Sequence, residues 1–236
     1  MAPTPAPWQP RSRADVLLNA PNSVGWLRAA LLLAGAGAAA RAAPLPAWWL
    51  IAASLALDAV DGPLARRLGQ ASSFGAALDV VLDNATRGFL WCGALPHGAG
   101  AAVVLLETTV FACAHAASGA AWKSGLFAGA PRWVRAVMAG GLRSPLGAAA
   151  VAGLTGAPMW AWARARLPAG AWQATAAAGW VLLPCRALAA AVELWVILSY
   201  SARLLDADLA EAGRRGAPVA GQQMRRQLRG GPAGSG

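Results

Sequence analysis

Six stretches of this chain are apolar over roughly the thickness of a lipid bilayer, and no other feature constrains its fold as much. A helix needs about 20 apolar residues to cross the hydrocarbon core. Inside that core every backbone N–H and C=O must find its partner within the protein, which helices do segment by segment. The stretches run approximately from Val24 to Ala40, Trp48 to Gly62, Phe74 to Leu95, Gly98 to Ser118, Pro145 to Ala163 and Trp172 to Tyr200. The second is short unless its Asp-bearing end lines a wet cavity, and Gly and Pro punctuate the fifth. With 57% hydrophobic and only 13% charged residues, a soluble Ala-rich helical protein is the poorer reading. The expected fold is all-α: a polytopic integral membrane protein, a bundle of about six transmembrane helices.

The net charge of +10 does not point to nucleic acid, because no basic stripe with interleaved aromatics is present. Arg11 and Arg13 precede the first span, and Arg66 and Arg67 follow the second. Lys123, Arg132, Arg135 and Arg143 occupy the fourth connection, and Arg203, Arg214, Arg215, Arg225, Arg226 and Arg229 follow the last span. With six spans all of these share one side, leaving mainly Arg41, Arg164 and Arg166 on the other. That asymmetry puts both termini in the cytoplasm. It also gives the cytoplasmic surface an attraction for anionic lipids. Trp48, Trp49, Trp160, Trp162 and Trp172 are expected near span ends as interfacial anchors.

Four of the ten acidic residues, Asp58, Asp61, Asp79 and Asp83, fall in two neighbouring apolar segments. A carboxylate at the centre of a membrane helix is unfavourable by roughly 2.5–3.5 kcal/mol on insertion scales. Four together also repel unless positive charge sits between them. Divalent ions with oxygen ligands meet both demands. Asp58 and Asp61 are three residues apart and Asp79 and Asp83 four apart, so each pair shares one helix face. The competing structural reading is salt bridging to Arg66, Arg67 and Arg87. A divalent-cation transporter would also carry intramembrane acids, but spread along a pathway through several helices. Glu107 and Glu193 either line the polar cavity or pair with Arg186 or Arg28. Cys92, Cys113 and Cys185 show neither metal spacing nor a disulfide framework, and His97 and His115 are read as structural.

The run reads Asp58-x2-Asp61-Gly62-x2-Ala65-Arg66-x8-Gly75-x3-Asp79-x3-Asp83. It resembles, at all eight defining positions, the signature of the CDP-alcohol phosphotransferase family. Pro21, Asn22, Gly25 and Arg28, in PNSVGWLR, are similar to the start of the first helix in phosphatidylinositol synthases. Leu205 and Asp206 near the end of the last span also look similar.

The resemblance implies a two-metal transferase in which Mg²⁺ or Mn²⁺ holds the diphosphate of a CDP-linked lipid while an alcohol displaces CMP. It assigns Asp58, Asp61, Asp79 and Asp83 to metal, and Asp83 also to the base that takes the alcohol proton. Gly62, Arg66 and Ser72 become CDP-lipid contacts, and Ala65 and Gly75 packing positions. Gly62 and Gly75 lack side chains where backbone and ligand must come close, and Arg66 offers a planar fork suited to phosphate oxygens. The acceptor suggested is myo-inositol. Phosphatidylglycerophosphate and phosphatidylserine synthases share the motif, as do choline and ethanolamine phosphotransferases. The stretch GAAWKSGLFAGAPRW keeps Lys123 and Ser124 but lacks the His found beside the Lys in the related synthases, and GGLR with Arg143 stands where they have Gly-Asn-Arg. Lys123 and Arg143 are nonetheless candidate acceptor or phosphate contacts.

The expected partners are CDP-diacylglycerol, a small alcohol and membrane lipids, with a second copy of the chain as an option. The expected organisation is a cytoplasmic tail over 1–20, a catalytic membrane domain over 21–205 and a basic, disordered tail over 206–236. The membrane would be the endoplasmic reticulum in a eukaryote and otherwise the cytoplasmic membrane, with the site facing the cytoplasm.

Overall fold

A computed structural model describes residues 8–96, 98–118, 127 and 129–216. Each helix start follows from a local signal. Ser12 and Asp15 form a reciprocal capping box at α1 (Arg13–Leu17). Asn19 caps α2 (Ala20–Ala40) by accepting from the Asn22 N–H at 2.8 Å. Pro residues occupy the first turns of α2, α3 (Pro44–Arg67) and α7 (Pro145–Arg166), where a missing N–H removes no helical bond. Between them lie α4 (Ser73–Ala94), α5 (Ala99–Ser118) and α6 (Arg132–Leu142). A short α8 (Ala169–Trp172) and a 3₁₀ turn (Gln173–Ala178) lead into α9 (Gly179–Gly216). The described residues contain no strand.

The six apolar stretches correspond to helices α2, α3, α4, α5, α7 and α9, each of 20 residues or more. By length and composition, however, three helical stretches among the described residues are suited to crossing a membrane: Ala20–Ala40, Ala99–Ala117 and Thr175–Arg214. The pair α6 and α7, bent by 79°, makes a fourth if taken as one broken span. Helices α3 and α4 have the length but carry the four aspartates of the motif together with Arg66, Arg67 and Arg87.

Two boundaries differ from those expected. Helix α3 continues past Gly62 to Arg67, because the residue that ends it is Gly69, in the left-handed region at φ +63°. Helix α9 continues past Leu205 to Gly216. Its Ala, Leu, Glu and Arg residues are good helix formers, and extending an existing helix avoids the nucleation cost. At 38 residues and about 1.5 Å per residue, α9 is longer than the hydrocarbon core is thick.

Helix α2 packs along α3 and also touches α4; α4 lies against α5 and α7, and α9 against α5 and α7. The Asn19 side chain donates to the Gln70 carbonyl at 3.4 Å, tying the start of α2 to the α3–α4 turn. At the other end Arg166 Nε donates to the Gly93 carbonyl at 2.8 Å. One apolar cluster joins α2, α3, α4 and α7 through Leu32, Ala47, Ile51, Leu90 and Trp162. A second joins α5, α6, α7 and α9 around Ala114, Val134, Val137, Ala150 and Val192. Large apolar side chains such as Leu33, Leu105, Trp180 and Leu198 point outward, as they do when lipid is the solvent. Gly153 lets α7 meet α9, since a Cβ there would collide with the Cys185–Arg186 backbone. Trp162 departs from the expected interfacial role: it is buried in the first cluster. Trp49 is exposed, as an anchor would be.

Candidate active site

The turn between α3 and α4 is built by residues inside the unspecified gap of the motif. Gln70 N–H bonds to the Ala65 carbonyl at 2.9 Å and Gly69 N–H to the Arg66 carbonyl at 3.4 Å. This paired closure around a left-handed glycine is a Schellman C-cap. Two residues later Ser72 caps α4, its Oγ accepting from the Gly75 N–H at 3.0 Å. The Ser72 O–H remains available to donate.

That turn and the start of α2 enclose a cavity of about 200 Å³. Among the residues named from sequence, Asp61, Gly62, Ala65, Arg66, Ser72, Gly75 and Asp79 line it. So do Pro21, Asn22, Gly25 and Gln70. Arg66 is exposed in the cavity wall beside Gly62, where an added Cβ would lie 3.4 Å from its Nη1. Gly75 faces Asn22, and the start of α4, whose first-turn N–H groups other than that of Gly75 lack an intrahelical partner, borders the same space through Ser72, Gly75 and Ala76. An anion is favoured at such a helix start.

The four aspartates converge on one residue that the motif does not contain. Arg28 Nη1 donates to Asp61 Oδ2 and to Asp79 Oδ1, each at 2.7 Å. Arg28 Nη2 lies 2.7 Å from Asp58 Oδ1 and donates to Asp83 Oδ1 at 2.8 Å. The side chain is buried, and its backbone carbonyl accepts from Ser54 Oγ at 3.0 Å. Of the arginines considered as partners for the aspartates, Arg87 alone makes such a contact among the described residues, at 3.5 Å from Asp83 Oδ2. Oxygens of Asp58, Asp61 and Asp79 lie within 4.8 Å of one another. A set of hard carboxylate donors at that spacing fits Mg²⁺ or Mn²⁺. Asp83 stands outside that trio but shares Arg28 with it.

Arg87 begins a second buried network. Its Nε donates to Glu107 Oε2 at 2.7 Å; Glu107 Oε1 accepts from Arg186 Nη2 at 3.1 Å; Arg186 Nη1 donates to Glu193 Oε2 at 2.9 Å. The two glutamates therefore pair with Arg186 and Arg87 rather than with Arg28. Arg143 is exposed at the junction of α6 and α7 and does not line the cavity. Lys123 and His97 lie outside the described residues.

The sequence profile of the CDP-alcohol phosphatidyltransferase family matches residues 18–205. The chain belongs to that family. Its membership covers helices α2 to α7 and most of α9, including every residue of the aspartate cluster and of the cavity described above. Among curated proteins, this CDP-alcohol phosphatidyltransferase is similar to the CDP-diacylglycerol–inositol 3-phosphatidyltransferase of Saccharomyces cerevisiae, 38% identical over 77 residues. The similar stretch is 33% of this chain and 34% of the yeast protein, so the two are comparable over about a third of their lengths. No solved structure matches the chain.

Proposed function

We propose that this CDP-alcohol phosphatidyltransferase moves a phosphatidyl group from CDP-diacylglycerol to myo-inositol, giving phosphatidylinositol and CMP. The observation that carries the transferase chemistry is the meeting of the four aspartates beside a cavity that Arg66, Ser72 and the start of α4 also face. The similarity to the yeast inositol 3-phosphatidyltransferase supports inositol as the acceptor.

In this reading Asp58, Asp61, Asp79 and Asp83 hold two divalent ions, Mg²⁺ or Mn²⁺. Such ions supply charge neutralisation at the diphosphate and at the departing phosphate. Arg66 presents its guanidinium to the diphosphate oxygens, and Ser72 donates its free O–H to one of them. The first-turn N–H groups of α4 favour the same negative charge. Gly62 and Gly75 add no side chain of their own to the cavity wall.

Asp83 is the base. Its Oδ1 is held by Arg28 and its Oδ2 is only loosely approached by Arg87, so Oδ2 is the oxygen placed to accept a proton. The alcohol loses its proton to Asp83 as its oxygen bonds to the lipid-bearing phosphorus. The bond from that phosphorus to the oxygen shared with CMP breaks, and CMP leaves with the electron pair. Orientation follows the charge distribution: the α3–α4 turn and both termini lie on the cytoplasmic side.

The test is CMP release by the purified full-length protein from CDP-diacylglycerol with Mn²⁺ or Mg²⁺ and a panel of alcohols. The proposal expects stimulation by myo-inositol. Stimulation by glycerol 3-phosphate or serine instead would replace the acceptor while keeping the reaction class. No release with any alcohol would contradict the reaction itself.

A further inference from the structure

We infer that Arg28 is a positioning residue that assembles the aspartate site before any divalent ion arrives, by holding one oxygen of each of the four carboxylates. The inference rests on the metal-holding role proposed for those aspartates and adds the device that keeps them together. One guanidinium reaches Asp58 and Asp61 on α3 and Asp79 and Asp83 on α4, all at 2.7–2.8 Å. The four carboxylates would otherwise face one another as like charges on two adjacent helices. Only a planar fork with several donors in fixed directions can serve four acceptors at once; an ammonium group is a single point charge.

The depth of the contact separates this role from competition with metal. The Arg28 side chain is 1% exposed, whereas the carboxylates of Asp58, Asp61, Asp79 and Asp83 are 33%, 13%, 45% and 27% exposed. Asp61 and Asp79 line the cavity and Arg28 does not. Asp58 and Asp83 do not line it either, but all four carboxylates are more exposed than the guanidinium, which is thus the most deeply placed member of the cluster. Each aspartate gives it one oxygen: Oδ1 of Asp58, Asp79 and Asp83 and Oδ2 of Asp61. Among the described residues no second Arg or Lys pairs with Asp58, Asp61 or Asp79, which leaves their other oxygens for another cation, whereas the second oxygen of Asp83 lies 3.5 Å from Arg87. With four carboxylates and one guanidinium, the cluster keeps an excess of negative charge that a divalent ion would reduce. Ser54 fixes the position from which Arg28 reaches, by donating to its backbone carbonyl.

The test is Mn²⁺ binding, followed by electron paramagnetic resonance, to the purified full-length protein in detergent. Arg28→Gln should weaken Mn²⁺ binding by about 10–100-fold, as loss of residues that orient metal ligands does. Arg28→Lys, which keeps the charge but not the fork, should fall between that variant and the wild type. Binding by Arg28→Gln that is unchanged or tighter would overturn the positioning role while leaving the metal site standing. Absence of binding to the wild type would overturn the metal site and this inference together.

A measurement on the wild type covers the case in which the variants do not fold. Amide hydrogen exchange in α3 and α4 should be nearly the same in chelator and in Mn²⁺, because Arg28 already joins the helices. Strong protection around Asp58–Gly62 and Gly75–Asp83 that appears only with Mn²⁺ would show that the metal assembles the site and would overturn the inference.

Discussion

Gly75 and Asn22 touch so closely that a Cβ at position 75 would stand 2.5 Å from Asn22 Oδ1. The motif glycine is thus a packing point between α4 and α2 as well as part of the cavity wall. Asn22 cannot easily yield, because its Nδ2 donates to the Val16 carbonyl at 2.6 Å and its N–H is held by Asn19. Gly75→Ala should cost about 1–3 kcal/mol, the usual price of overpacking, and should lower activity by displacing the start of α4. Asn22→Ser in the Gly75→Ala background should recover part of the stability. Thermal unfolding of the purified proteins checks both. Equal stability of Gly75→Ala and wild type would contradict the close packing.

Asp83→Asn should abolish turnover while CDP-lipid binding survives. The amide oxygen can still accept from Arg28 but the group can no longer take the alcohol proton. A general base contributes about 10²–10⁴ in rate, which a radiolabel assay resolves. Asp58→Asn and Asp61→Asn should instead weaken Mn²⁺ binding as well. Near-normal turnover of Asp83→Asn at saturating metal would show that the proton leaves by another route.

Glu107 accepts from two arginines and is almost fully buried. Glu107→Ala leaves Arg87 and Arg186 facing each other with less compensation, so it should destabilise the protein by about 3–5 kcal/mol, as breaking a buried ion pair does. Glu107→Gln keeps the shape and should cost less. Denaturation midpoints measured at fixed detergent concentration order the two. Stability unchanged in Glu107→Ala would mean that the network contributes nothing to holding α4, α5 and α9 together.

The aspartate cluster was legible because its spacing is local. Residues three or four apart on a helix share a face whatever the rest of the fold does, and one short turn brings the two pairs together. Arg28 was not legible as their common partner, since the contacts span 33 to 55 residues for Asp61, Asp79 and Asp83. A signal was present all the same: Arg28 is the one charged residue within the apolar helix α2, and an intramembrane cation requires a partner. The same rule applied to Glu107, Arg186 and Glu193 narrows their partners without choosing among them; only the packing of α4, α5 and α9 decides. The end of α3 could have been read from Gly69 and Ser72, a glycine stop followed by a serine cap. The continuation of α9 could not be judged by apolar content, because propensity and an existing helix carry it.

The proposed topology, with both termini cytoplasmic, rests on the arginine asymmetry. In a background with Cys92, Cys113 and Cys185 replaced, single cysteines at Ser12 and Ala212 should label from the same side of the membrane, and one at Ala42 from the opposite side. Labelling of Ser12 and Ala212 from opposite sides would contradict an even number of spans.

Incorporation of labelled myo-inositol into lipid by the purified protein, with CDP-diacylglycerol and Mn²⁺ and with Asp83→Asn as the paired control, reads the acceptor and the base in one assay. The wild type should yield labelled phosphatidylinositol and an equal amount of CMP, and Asp83→Asn neither. Inositol that stays in the aqueous phase while the wild type releases CMP to another alcohol would contradict the acceptor. Equal incorporation by both proteins would contradict the assigned base.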